Sequence, residues 1–226
     1  LTMTRKAVLA AQQVYAPESL YRWQWQTGRI LKQMNNTPEA VDAYRRAMYT
    51  LQSIRYEIDN CRDIQQAAFR KIVGSVCFEL VDLLLAQSRS EKDQQTREKL
   101  LLEAREVVEL LRVYELREYF KDDCVDAGGF QQVELEDISK NTVVIYPIML
   151  ENRMELLVSF PSGMQQFTVH ERQETVTREI REFRRKLEKL TTWEFLPHAR
   201  KLYDYLIRPL EKELSTFPPD TLVFVP

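Results

Sequence analysis

The spacing of apolar residues changes once along this 226-residue chain, and the change constrains the fold more than any other feature. Up to about residue 120, apolar side chains recur every three to four positions, the period of an amphipathic helix. Beyond Gly128-Gly129, the only adjacent glycine pair, they form β-branched or alternating runs. Two regimes in one chain predict an α+β protein, with helical hairpins over 1–125 and strands mixed with helices over 126–226.

Within the helical region, a pair of helices is expected between Ser19 and Ile54, separated by NNTPEA (35–40). Asn36 or Thr37 can cap the second, and Pro38 suits its first turn, where a missing N–H loses no partner. Gly28 marks a close crossing of the two helices. Ala40, Tyr44 and Ala47 make a small–large–small row on one face of the second. Counting Gly28 as the eighth position of a tetratricopeptide repeat puts Ala40, Tyr44 and Ala47 at its twentieth, twenty-fourth and twenty-seventh, where that repeat uses such residues. Its tryptophan position holds Gln24, flanked by Trp23 and Trp25.

A looser helix pair follows. AAFRKIVGSVCFELVDLLLAQ (67–87) is apolar nearly all round, which predicts a central helix. The polar stretch SRSEKDQQ reads as a long internal loop. After it, Leu100, Ala104, Val107, Val108, Leu111 and Tyr114 share one stripe. Helix pairs of this kind bury their faces only against neighbours, so a bundle or short solenoid is expected.

Past Gly129, NTVVIYPIM (141–149), RMELLVSF (153–160) and MQQFTVH (164–170) read as strands, the last two joined by a PSG turn. Pro147 predicts an edge position or a bulge. A charged helix over 174–190 carries Val176, Ile180, Phe183 and Leu187 on one side. Then ARKLYDYLIRPLEKEL (199–214) reads as one helix with Leu202, Tyr205, Leu206 and Leu210 turned inward. TLVFVP (221–226) reads as a buried strand of the mid-sheet kind. A sheet left there would expose it, so the polypeptide is expected to be a piece of a longer protein.

Composition narrows the function. Lys plus Arg total 32 against 34 Asp plus Glu, a net charge of −2 that gives no reason to expect nucleic acid or a membrane surface as partner. The apolar runs, LVDLLLA (80–86) among the longest, fall far short of the roughly 20 residues that span a bilayer. The N-terminus lacks a signal-peptide layout. Cys61, Cys77 and Cys124 match neither a disulfide framework nor a zinc site, which places the chain in the reducing cytoplasm. Five glycines and no phosphate-loop motif leave no nucleotide cradle.

No complete active site assembles from the candidates. Asp122, Asp123 and Asp126 surround Cys124, and their charge disfavours the thiolate a nucleophile needs. Cys77 sits on an apolar helix face and reads as core, and Cys61 lies on a helical segment. His170 closes a strand and His198 opens a helix, neither near a cysteine, a serine motif or a carboxylate pair in sequence. EFRRKLEK (182–189) offers a weak anion patch, better read as i,i+4 pairing such as Glu182 with Lys186. Tyr203 and Tyr205, near Arg208, read as helix packing. The sequence therefore assigns no catalytic, cofactor-binding or metal-binding residue, and no cofactor.

The order of pieces carries a resemblance. ELREYFKDDCV (115–125), NTVVIYPIMLENRMELLVSFPSGMQQFTV (141–169), REIREFRRKLEK (178–189), ARKLYDYLIRPLEKEL (199–214) and DTLVFVP (220–226) resemble the start of a CHAT domain. This is the caspase-like protease domain found behind tetratricopeptide repeats in bacterial proteins. WQTGRILKQMNNTPEAVDAYRRAM (25–48) and FRKIVGSVCFELVDLLL (69–85) resemble the repeats that precede it. The resemblance implies a cysteine endopeptidase with a His–Cys dyad, the histidine in a T-H-G type context and the cysteine in an S-A-C type context. Neither context occurs: there is no His-Gly, and no cysteine follows Cys124. The implied roles are a repeat array that binds a protein or peptide activator, joined to the first half of a protease fold that is inactive by itself. The rest of the CHAT domain would be its second partner. The alternative is a non-enzymatic scaffold or adaptor with a degenerate CHAT-like sheet.

Overall fold

A computed structural model of the chain describes residues 1–59, 63–120, 141–189 and 192–225. They fall into two compact units, Leu1–Asp122 and Asp123–Pro226. The expected seam at 125/126 lies outside the described residues, as do Cys61 and Cys124.

The first unit is a run of helices: α1 (Thr2–Gln13), α2 (Pro17–Gln33), α3 (Thr37–Asp59), α4 (Asp63–Ser90) and α5 (Gln94–Phe120). Each packs chiefly on its neighbours in sequence. The first two junctions are built alike. Tyr15 and Asn35 adopt positive φ (50° and 57°), and the next amides reach back to close the turn, Ala16 N–H to Ala11 O and Asn36 N–H to Leu31 O, both at 3.0 Å. This is the left-handed helix stop that satisfies carbonyls a helix end leaves open. The helix start follows as expected: Asn36 O accepts the Ala40 N–H at 3.0 Å.

The long loop expected between the second pair shrinks to three residues, 91–93. Asp93 is the reason, because its Oδ2 accepts both the N–H (2.8 Å) and the hydroxyl (2.6 Å) of Thr96 and so caps α5. Much of the expected core is buried, although Val107 of the α5 stripe is only partly so. Ala40, Tyr44 and Ala47 are fully buried, as are Val76, Cys77, Leu80 and Leu84 of α4 and Ala104 of α5. A Cβ placed on Gly28 would lie 2.6 Å from Tyr44 Cδ2, so only a glycine lets α2 and α3 approach this closely.

The second unit holds a four-stranded sheet in the order β3-β2-β1-β4. The strands are β1 (Thr142–Met149), β2 (Met154–Phe160), β3 (Gly163–Val169) and β4 (Thr221–Phe224). β1, β2 and β3 form an antiparallel meander, and β4 runs parallel to β1. Between β3 and β4 lie α6 (Gln173–Leu187), α7 (Leu196–Leu206), a 3₁₀ turn (Arg208–Leu210) and α8 (Glu211–Thr216). On one face of the sheet Val143, Ile145, Met154, Leu156, Val158 and Phe160 pack with Val176 of α6 and with Leu210. Val144, Tyr146, Ile148 and Leu157 of the other face are buried too.

Three expectations change. Pro147 is on an interior strand, paired with Leu156 of β2. Ile145 O accepts the Val225 N–H, so Ile145 and, two residues on, Pro147 direct their backbone polar groups toward the β4 side. β4 pairing ends at Ile145, so the missing N–H of Pro147 breaks no ladder bond. The single helix over 199–214 is interrupted at Pro209, which cannot donate to a helical carbonyl. The closing strand, expected to be buried mid-sheet, lies at the end of the strand order with Leu222 and Phe224 38% and 42% exposed.

Candidate functional site

A carboxylate that bridges helices stands in each unit, and a third is buried in the sheet. In the helical unit it is Glu79 on α4. Its Oε2 accepts from the Tyr44 hydroxyl of α3 and from Trp25 Nε1 of α2 (3.1 Å), and Arg29 Nε lies 3.8 Å away. The Arg29 guanidinium also stacks 5.3 Å from the centre of the Trp25 ring. Burial, reinforced by the bond to Glu79, pushes the Tyr44 phenol far above its ordinary range. One turn along, Lys32 Nζ meets Asp82 at 2.8 Å. These contacts fasten α2 and α3 to α4 by polar groups.

In the second unit the carboxylate is Glu179 on α6, itself buried. Lys201 Nζ donates to its Oε1 at 2.9 Å and His198 Nδ1–H donates to its Oε2 at 2.7 Å, both from α7. Lys201 first, then His198, hold the Glu179 carboxyl below the usual range, and Glu179 in turn raises Lys201. A carboxylate that orients an imidazole is half of a base–nucleophile arrangement. Here the partner groups tie α6 to α7, and the only cysteine of this unit, Cys124, lies outside the described residues. Glu155 of β2 is a third such case. It is fully buried and accepts from Arg153 Nε, Gln166 Nε2 (3.0 Å) and Thr168 Oγ1 (2.8 Å). With donors on both oxygens it is closed to a ligand and serves the sheet.

The residues singled out from sequence are dispersed. His170 is exposed after β3. Cys77 is core, its Sγ 3.7 Å from Met48 Sδ. Glu182 pairs with Arg185 at 2.5 Å rather than with Lys186, which reaches Glu194 at 3.4 Å. Tyr205 packs against the sheet core, whereas Tyr203 is exposed and donates to Glu211 Oε1 at 2.7 Å. Sequence reasoning missed Glu79 and Glu179. Their partners lie up to 54 and 22 residues away, and no local pattern announces them. Among the described residues no group of His, Cys, Asp and Glu is arranged to hold a metal ion, and no helix is long and apolar enough to cross a membrane.

A groove of about 500 Å³ lies between α1, α2 and α3. Val8, Leu9, Leu31 and Ala43 give it apolar walls, and Gln24 and Thr27 line it from α2. Against known proteins the chain matches no family model and no curated protein.

Proposed function

We propose that this chain is the regulatory, partner-binding region and N-terminal half of a bacterial caspase-like cysteine endopeptidase of the CHAT type, and that it does not itself carry the His–Cys dyad. The observation that carries the reading is the path of the sheet: an antiparallel meander, a helical crossover, and a return into β4 parallel to β1. A parallel return through helices is how α/β domains grow, and it uses the segments whose order resembles the CHAT family. The Gly28–Tyr44 approach, with Ala40 and Ala47 buried beside it, supports a repeat-type helix pair in the first unit.

In this reading the helical array takes up a protein or peptide activator, and a signal passes into the sheet. Peptide hydrolysis by thiolate attack, with a histidine as base, belongs to the later region of the domain. The test compares the chain alone with the same chain extended by the rest of its reading frame, in a peptide-cleavage assay. The extended protein should cleave and the chain alone should not; cleavage by the chain alone contradicts the reading. A non-enzymatic scaffold is the second reading, favoured by the half-exposed edge strand β4, which another chain could pair with. Absence of cleavage by the extended protein, with no His-Gly or later cysteine in its frame, would decide for it.

A further inference from the structure

We propose that residues 192–225, from the approach to α7 through β4, form an arm that opens from the rest of the second unit as one piece and uncovers the edge of β1. Burial divides the unit at that point. Every residue of β2 is buried, and β1 and α6 bury side chains against the same core. Of the 34 residues over 192–225, Leu210 alone is buried, at 0% exposure. Tyr205, Leu206, Leu214 and Phe217 pack on the core only in part. Ordering a chain costs conformational entropy at every residue, and apolar burial is what offsets it. A segment that buries so little opens at a lower free energy than global unfolding.

The attachments of the arm are narrow. Leu210 is an apolar pin, seated among Val143, Ile145 and Leu156 in the sheet core. Glu179 of α6 is a polar latch, bonded to both His198 and Lys201 of α7. Four residues of β4 pair with β1, and the ladder is closed at its start by the Asp220 N–H on Asn141 O at 3.0 Å. Phe195 meets Phe183 edge-on at 6.4 Å, and the Lys186–Glu194 pair at 3.4 Å is partly exposed. Other polar contacts lie within the arm and travel with it, Tyr203 with Glu211 and Arg208 with Asp204. The meander needs none of these, since β1–β2 and β2–β3 pairing runs without β4. With the arm away, Thr142–Ile145 becomes an open strand edge. The arm therefore governs whether β1 is available to another strand. This device is independent of the protease reading and survives its failure.

Amide hydrogen exchange of the full chain, followed by nuclear magnetic resonance, reads the opening residue by residue. A helix as short as α7 does not keep its hydrogen bonds alone in water, so undocking is visible at its amides. The Ile207 amide, bonded to Tyr203 O, and the Val225 amide, bonded to Ile145 O, should share one protection factor. It should lie well above the open-chain value and at least about tenfold below that of the β2–β3 ladder. Glu179→Gln removes the latch and should lower the arm's protection about tenfold, the loss of a charge-assisted hydrogen bond, with β2–β3 unchanged. Leu210→Ala should act in the same direction; should it not fold by circular dichroism, Glu179→Gln decides. The proposal is overturned if Ile207, Val225 and the β2–β3 amides share one protection factor in the wild-type chain. It is also overturned if Glu179→Gln lowers the arm and the β2–β3 ladder together, or leaves the arm unchanged.

Discussion

At the scale of single residues, Gly28 and Glu179 make the sharpest claims. Gly28→Ala would gain about 1 kcal/mol of helix propensity. It would also force a methyl to 2.6 Å from a tyrosine ring that is fully buried and tied by its hydroxyl to Glu79. Overpacking of this kind typically costs about 1–3 kcal/mol, so urea unfolding should show a net loss, and equal or greater stability would mean that the helices do not approach so closely. Glu179 makes a pH claim. Its folded pKa lies below the ordinary value, so its contribution to stability is present above that value and lost as pH falls through the folded one. Lys201 is raised, so its contribution is complete below the ordinary lysine value and lost as pH rises through the folded one. The stability deficit of Glu179→Gln should therefore close below roughly pH 5 and above roughly pH 10. A deficit that does not depend on pH would remove the ion pairs from the account.

At the scale of elements, the helix stops and the sheet edge carry the predictions. Tyr15 holds a positive φ of 50° that costs a non-glycine residue about 1–2 kcal/mol. Its side chain is 92% exposed and packs on little, so Tyr15→Gly should raise the unfolding free energy, by up to about 1 kcal/mol once the glycine's added chain entropy is counted. The edge strand predicts self-association at high concentration. Leu222→Lys with Phe224→Lys should lower the scattering-derived mass if the wild-type chain pairs through β4. Elements were the most legible level in sequence. The period change located β1, β2 and β3 to within a residue or two, because β-branched runs and a PSG turn are local signals. Pro209 is an equally local signal, but the apolar spacing around it reads as one continuous helix. The exposure of β4 was not legible, because TLVF reads the same in the middle of a sheet and at its edge. Of the candidate site, Gln24 stood out as a polar residue where an aromatic one was expected. Its bond to Thr50 spans 26 residues and belongs to tertiary structure.

At the scale of the whole molecule, two kinds of construction are joined in one chain: helices packed on sequence neighbours, and a sheet that returns on itself in parallel. The functional proposal needs the second, since a meander alone is common to many β folds and a parallel return through helices is not. The most direct test is nuclear magnetic resonance across β1 and β4. Inter-strand contacts are expected in the parallel register Val143–Leu222 and Ile145–Phe224. Slow exchange is expected of the Val225 amide, which donates to Ile145 O at 3.0 Å. Antiparallel contacts, or a Val225 amide exchanging as fast as an open chain, would contradict the parallel return.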